Sequence, residues 1–265
     1  MQIENHKEEV PFSHYAAQFA AADPAEIAAR LPHTAYDGQS FYVNLLGTKY
    51  TVTQSLPLSG EVAQSAGGVV PAVPLLPDCH CEPVPDVTGV EISSSSSSLR
   101  GAQRRSNPSP ISRHCEEHSD VAISSPNGPV PLPVQTFLLR YLLESKCAPW
   151  QGTWKTFREM PWGELYIKPY TGRVLTRAAF TFGTRVEAFR KACESLGATP
   201  VAHGDAGFRF DFTDGTAMQI MVWAGDEEFP PNAQVLYSDN FETCFAPEDR
   251  VVAGDILITH IKAHI

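Results

Sequence analysis

The first part of the chain alternates apolar and polar residues with the spacing of a helix. Apolar side chains recur every three or four positions between residues 12 and 20, which predicts a helix. Asp23, Pro24 and Glu26 then supply an N-cap, a proline at the first helical position and an acid in the first turn. The pattern therefore predicts two short helices that end before Pro32.

Two pairs of segments alternate with the period of two that is typical of β-strands. They are residues 41–46 with 49–53, and residues 207–213 with 216–223. Gly47-Thr48 lies between the first pair and Asp214-Gly215 between the second, so each pair predicts a β-hairpin, and the Asp-Gly pair predicts a type I′ turn. Residues 233–237 predict a third strand beside the second hairpin.

The remaining patterns complete the fold prediction. Residues 134–146, 172–182 and 184–196 are predicted to be helices, and residues 164–170 a strand. Residues 254–265 fit a helix or a strand. Together the elements predict an α+β fold: an antiparallel sheet with β-hairpins covered by helices, in a single domain with a long disordered insert.

Composition locates that insert at residues 57–133. None of the 26 aromatic residues lies between residues 51 and 136, whereas 12 of the 22 prolines and the serine run 93–98 do. Such a segment cannot bury enough apolar area to offset the entropy of ordering it. We therefore predict one discontinuous domain, residues 1–56 and 134–265, interrupted by a disordered Ser/Pro-rich insert.

Part of the insert is a duplicated sequence read in two frames. Codons can be chosen for residues 99–107 such that the same bases, shifted by one, encode residues 115–122 as they stand. The match extends to His114 and Ile123 at the two ends. We infer that a short DNA repeat was copied twice into the gene, as in dispersed repeat elements of bacterial genomes. A coding sequence without that direct repeat would refute the inference.

The duplication decides how the cysteines and histidines of the insert are interpreted. Cys79-His80-Cys81 with His114, Cys115 and His118 offers zinc ligands, but a C-x-C pair followed by a gap of 32 residues matches no structural zinc pattern. A frame-shifted repeat also gives no reason for those residue types to be there. We therefore predict no metal site.

Charge and hydropathy exclude several classes of partner. The net charge of −10 argues against binding to a phosphate backbone, so we predict no nucleic-acid partner. The apolar runs are shorter than the roughly 20 residues needed to cross a bilayer, and the polar N-terminus does not resemble a signal peptide. These features predict a cytoplasmic protein without a membrane partner, whose six cysteines are free thiols.

Three ordered strings resemble one protein family. They are residues 138–143, residues 152–159 and residues 223–231, which together resemble domain of unknown function 3786, a bacterial and archaeal family that is frequent in anaerobes. The likeness extends over the 188 residues outside the insert. The resemblance implies a setting in anaerobic redox or one-carbon metabolism and a redox or iron–sulfur protein partner, but it carries over no functional residues. The chain has no C-x-x-C run of its own.

The clearest chemical constellation is the run Asp226-Glu227-Glu228 after an apolar strand. Three carboxylates leaving a sheet edge could hold a divalent cation or supply a general base. In the alternative interpretation, which we favour, Asp226 and Glu227 cap a turn before Phe229 and Glu228 lies in solvent.

Two further groups could bind a ligand. Arg158, Arg173 and Arg177 could hold an anionic group through bidentate hydrogen bonds, or could pair with nearby acids instead. His203 and Asp205 lie in the turn before the second hairpin and could act as acid and base, although a single histidine in a turn is more often simply exposed.

These observations leave two hypotheses of function. The first is a cytoplasmic accessory domain that binds a small molecule or a protein partner. The second is an enzyme that uses Asp226, Glu227 or Glu228 with Arg173 around a divalent cation. The second requires these carboxylates and the arginine to converge on one cleft. The cofactor and the reaction stay unknown at this stage.

Overall fold

The computed structural model describes residues 6–54, 121–146 and 148–265, which belong to one compact unit. The helices are α1 His6–Ala21, α2 Pro24–Arg30, α3 Leu132–Glu144, α4 Gly163–Tyr170, α5 Arg177–Phe182, α6 Val186–Ser195, α7 Phe241–Cys244 and α8 Pro247–Lys262. The strands are β1 Ala35–Tyr36, β2 Ser40–Leu45, β3 Thr48–Gln54, β4 Val121–Ser124, β5 Trp154–Thr156, β6 Thr199–Pro200, β7 Ala206–Thr213, β8 Thr216–Trp223 and β9 Asn232–Ser238.

The nine strands of the described residues form one antiparallel sheet. The main order is β4-β3-β2-β7-β8-β9-β5, with β1 added to β2 and β6 to β7. Helices pack on this sheet, so the predicted α+β fold is confirmed. None of the helices in the described ranges is long and apolar enough to span a bilayer.

An aromatic cluster joins the helices to the sheet. Phe137 of α3 stacks on Phe245 with ring centroids 5.2 Å apart, and Phe212 of β7 meets both rings edge-on. Each of these side chains is almost fully buried. The cluster fixes α3 beside the start of α8, which is the pair of helices that frames the cleft described below.

Both predicted hairpins are present, but their turns differ from the prediction. Leu46 and Gly47 have φ angles of 49° and 76°, the positive pair that a type I′ turn requires, so this turn begins one residue earlier than predicted. Gly215 has a φ of 90°, whereas Asp214 is not among the described residues with positive φ. The predicted type I′ turn at Asp214-Gly215 is therefore wrong. A register shift between Asp211 and Thr213 lies next to this turn.

The predicted strand at residues 164–170 is helix α4. Tyr170 stacks on Phe157 with ring centroids 4.0 Å apart, and Gly163 lies so close to the Phe157 carbonyl that a Cβ would come within 2.1 Å of it. These contacts need the one-face spacing of a helix.

The end of the predicted disordered insert also needs correction. Most of residues 57–133 lie outside the described residues, but residues 121–133 include β4 and the start of α3. β4 pairs with β3, with Val121 opposite Gln54, and Val121 is buried. The prediction rested on the average Ser/Pro-rich composition of the whole segment, and an average does not reveal a strand of only four residues.

Candidate functional site

The run of acids after β8 closes a turn. One Asp226 carboxylate oxygen accepts the backbone N–H groups of Glu228 at 2.9 Å and Phe229 at 2.7 Å, and the Asp226 N–H donates to the Phe229 carbonyl. Glu227 and Glu228 are exposed. The geometry thus agrees with the turn-capping interpretation for Asp226.

The turn that carries His203 and Asp205 lies beside this acidic run. An Asp205 carboxylate oxygen accepts the Ala224 N–H at 2.7 Å, and its carbonyl accepts a guanidinium N–H of Arg190 at 2.7 Å. His203 is exposed. The structure therefore brings Asp205 and the acidic run to the same end of the second hairpin. The Asp205 carboxylate is used there to bind the backbone N–H of Ala224.

The arginines predicted as candidates for binding an anionic group lie elsewhere. Arg158 pairs with Glu164 at 3.1 Å on the surface, and Arg173 pairs with Asp255 of α8. Gly183, ten residues after Arg173, packs against Pro231 of the acidic loop. Helical rise separates Arg173 from that contact by about 15 Å. Arg173 and Asp226 therefore do not converge on one cleft. The cation-dependent enzyme requires that convergence.

The described residues contain no group of three or more His, Cys, Asp or Glu side chains arranged to hold a metal ion. The zinc-ligand candidates of the insert lie outside the described ranges; they are Cys79, His80, Cys81, His114, Cys115 and His118. The absence among the described residues includes the acidic run Asp226-Glu227-Glu228, where the alternative function places its cation.

A cleft runs along one side of α8. Two cavities of about 530 and 400 Å³ adjoin there and share Glu8, Pro133, Arg173 and Val252 in their walls. We call this feature the α8 cleft. Its larger cavity combines apolar and polar side chains, including Pro131, Val134, Ile256, Ala263, Arg177, Asp255, Thr259 and His260.

Two arginines and one aspartate form the polar wall of the larger cavity. Arg173 donates from Nε to an Asp255 oxygen at 3.1 Å and again from Nη2, while Arg177 donates from Nη1 to the other oxygen at 2.6 Å. Arg177 also donates from Nη2 to the Thr259 hydroxyl at 3.0 Å. Two guanidinium groups thus share a single carboxylate, and the three side chains carry a net charge of +1.

The helix that presents Arg173 contains a π-helical turn. Pro169 inside α4 has no N–H to donate to the Leu165 carbonyl, and the next segment, Thr171–Thr176, is π-helical before α5 continues the helix. Such turns are rare and are often found at functional sites. Here the wider turn carries Arg173 in the wall of the α8 cleft.

A buried ion pair lies at the other end of the cleft. Arg140 of α3 approaches Asp249 of α8 with Nε and a carboxylate oxygen 3.1 Å apart, and Asp249 is only 5% exposed. Burial raises the pKa of the Asp249 carboxyl to about 7; Arg140 opposes the shift, and Glu144 and Glu248 add to it. Strongly shifted groups in a cleft are typical of functional sites.

Sequence comparison identifies the family to which these elements belong. Residues 113–260 match the family model of the domain of unknown function (DUF3786), which is more than half of the chain. The chain belongs to the DUF3786 family. This confirms the resemblance seen in the sequence, although the match leaves α1 to β3 outside it. No curated protein and no solved structure matches the chain.

The DUF3786 match contains most of the α8 cleft. It covers α3, the π-helical turn and α8 as far as His260, whereas Glu8 and Tyr50 in the cleft wall lie outside it. Sequence analysis singled out Arg173 and Arg177 but missed Asp249 and Asp255. The signal that could have found them is the spacing of residues 249, 252, 255 and 256 on one face of a helix that begins at Pro247.

Proposed function

We propose that this DUF3786 protein is an accessory domain that binds a small molecule in the α8 cleft. The observation that supports this is the larger cavity, whose volume of about 530 Å³ falls in the usual range for ligand sites and whose apolar wall faces a few converging polar groups. The cytoplasmic setting in anaerobic redox or one-carbon metabolism, with a redox or iron–sulfur protein partner, belongs to the same proposal and rests on the family resemblance.

The polar groups of the α8 cleft favour binding over chemistry. Arg173 and Arg177 are held by Asp255, and Arg140 is held beside Asp249, so their side chains are fixed in orientation before any ligand arrives. Fixed donors next to an apolar wall give affinity and orientation at a low cost in ordering. The function proposed is accordingly recognition of a small molecule. By binding that molecule, the domain would deliver it to a partner protein or report its presence to the partner.

A fragment screen by ligand-observed NMR tests the proposal. Val252 lines both cavities, so Val252→Trp should fill the point where they meet, and Ala263→Trp should narrow the far end of the larger cavity with less risk to the fold. Val10→Trp is the matched control, because Val10 is 66% exposed on α1 and outside the cleft walls.

We expect fragments that bind the unaltered protein to lose their signal with Val252→Trp and Ala263→Trp and to keep it with Val10→Trp. Circular dichroism establishes that each variant is folded. Fragments that bind equally to all four proteins, or no binding at all, would refute the proposed function.

A further inference from the structure

The geometry points to an amphipathic carboxylate as the ligand class of the α8 cleft, with its acid group on Arg173 and Arg177 and its apolar body along α8. This inference rests on the proposed function and names the kind of molecule that the cleft selects. Three features support it: the charge of the polar wall, the direction of the apolar wall and the state of the other ionisable groups.

The polar wall has unused hydrogen-bond donors and a positive charge. Each guanidinium has five N–H groups, and the contacts with Asp255 and Thr259 use only two from each arginine. The Arg173 side chain is 56% exposed and that of Arg177 35%, so the remaining donors can be reached. A planar carboxylate matches a guanidinium in two parallel hydrogen bonds.

The apolar wall continues from these donors in one direction. Ile256 of α8 and Ala263, which directly follows α8, lie in it together with Pro131 and Val134 around the start of α3. From Asp255 to Ala263 α8 rises about 12 Å, enough for an extended chain of the length of octanoate. A molecule with an acid at one end and an apolar body therefore meets both walls at once.

The other ionisable groups of the larger cavity do not remove its preference for a carboxylate. Burial, and then the charge of His264, lower the pKa of His260, so its imidazole is neutral near pH 7. Burial raises the pKa of Tyr50, which is neutral as well. Among the described residues that line the larger cavity, Glu8 at the start of α1 is the one negative group besides Asp255, and it is exposed. Glu8 should therefore weaken the binding of an anion to a small extent.

The test compares three probes that differ only in their polar end: octanoate, octanol and octylammonium. Their dissociation constants are measured at pH 7 by ligand-observed NMR on the full chain. We expect octanoate to bind about tenfold more tightly than either other probe, which corresponds to one charge-assisted contact. The double variant Arg173→Met, Arg177→Met should lose this preference while keeping octanol binding.

Two further variants keep the test decisive. Glu8→Gln should tighten octanoate binding without unfolding the protein, because it removes an exposed negative charge. Arg158→Met is the matched control, since Arg158 pairs with Glu164 on the surface outside the cleft, and it should leave all three affinities unchanged.

The outcomes separate the ligand class from the proposed function. A preference for octylammonium, or octanoate binding that is unaffected by the double variant and by Glu8→Gln, overturns the carboxylate class. If none of the three probes binds while fragments still bind in the cleft, the class is wrong and the proposed function stands. If neither probes nor fragments bind there, both fail.

Discussion

Asp249 shows how burial changes the chemistry of a single side chain in this domain. Its carboxyl lies between α3 and α8 and is 5% exposed, with Arg140 as its cationic neighbour. Glu144, 3.5 Å from Arg140, draws on the same guanidinium, and Glu248 is 4.0 Å from it. Burial raises the pKa of the Asp249 carboxyl to about 7, because the shared Arg140 guanidinium only partly offsets the loss of hydration and the two glutamates add to the shift.

The raised pKa of Asp249 predicts a pH dependence of stability. The folded protein holds this proton up to about pH 7, whereas the unfolded chain releases it near the ordinary value of 3.8. Between those values the folded state binds more protons, so the free energy of unfolding falls as pH rises. From pH 5 to pH 8 the loss due to Asp249 should be on the order of 2 kcal/mol.

Urea unfolding at pH 5, 6, 7 and 8 of the unaltered protein and of Asp249→Asn measures this loss. The asparagine mimics the protonated carboxyl at every pH, so the variant should gain stability relative to the unaltered protein as pH rises. Comparing the two proteins removes the contribution of other titrating groups. Parallel curves would contradict the prediction.

At the scale of elements, the contact between α8 and the π-helical turn determines the shape of the cleft wall. Gly254 of α8 faces Val174, and a Cβ at residue 254 would lie 2.6 and 2.8 Å from the two Val174 methyl carbons. Asp255 follows directly in the chain and meets Arg173 and Arg177. The absence of a side chain at Gly254 therefore allows the approach that brings this polar wall together.

Gly254→Ala should destabilise the domain even though alanine favours helices. Overpacking against Val174 costs about 1–3 kcal/mol, and the better helix propensity returns at most about 1 kcal/mol. Chemical unfolding of Gly254→Ala, Val174→Ala and the double variant measures the balance. We expect the double variant to lose less stability than the sum of the single variants, because Val174→Ala makes room for the new Cβ. Additive losses would show that the two residues do not share this contact.

The local sequence pattern predicted most elements. It did not predict the elements whose conformation depends on contacts with residues far away in the sequence. Both hairpins and β9 follow from alternation, and α3 and α6 from helical spacing. The pattern of residues 164–170 predicts a strand and not helix α4, because the local sequence does not show the packing of Tyr170 and Gly163 on Phe157. Residues 254–265 stayed open because α8 is apolar on two sides, one in the core and one along the cleft.

At the scale of the whole molecule, the α8 cleft is assembled from segments far apart in the chain. Arg173 and Asp255 are 82 positions apart, and α3 and α1 supply the opposite wall. The sequence could name Arg173 and Arg177 as anion-binding candidates, because the residue type carries that chemistry. It could not pair them with Asp255, since helix packing alone brings those residues together. The acidic run drew attention instead because its residues are adjacent.

The pairing of β3 with β4 suggests how the chain can be shortened. Gln54 and Val121 are direct partners in an antiparallel ladder, so a two-residue Asn-Gly turn can replace residues 55–120 and close a hairpin. The composition of this stretch predicts that it adds little to the core, and a much shorter loop lowers the entropy cost of closure by up to about 3 kcal/mol. We therefore expect the melting temperature of this variant to be unchanged or higher.

The matched comparison is a deletion of residues 58–130, which also removes β4. Val121 and Val130 are buried, and the Asn127 side chain donates to the Thr48 hydroxyl, so this deletion exposes one edge of β3 and should lower the melting temperature. The two variants differ chiefly in whether β4 is kept. Thermal unfolding followed by circular dichroism decides between them: a large drop for the Asn-Gly variant would mean that residues 55–120 stabilise the domain, and equal values would mean that β4 does not.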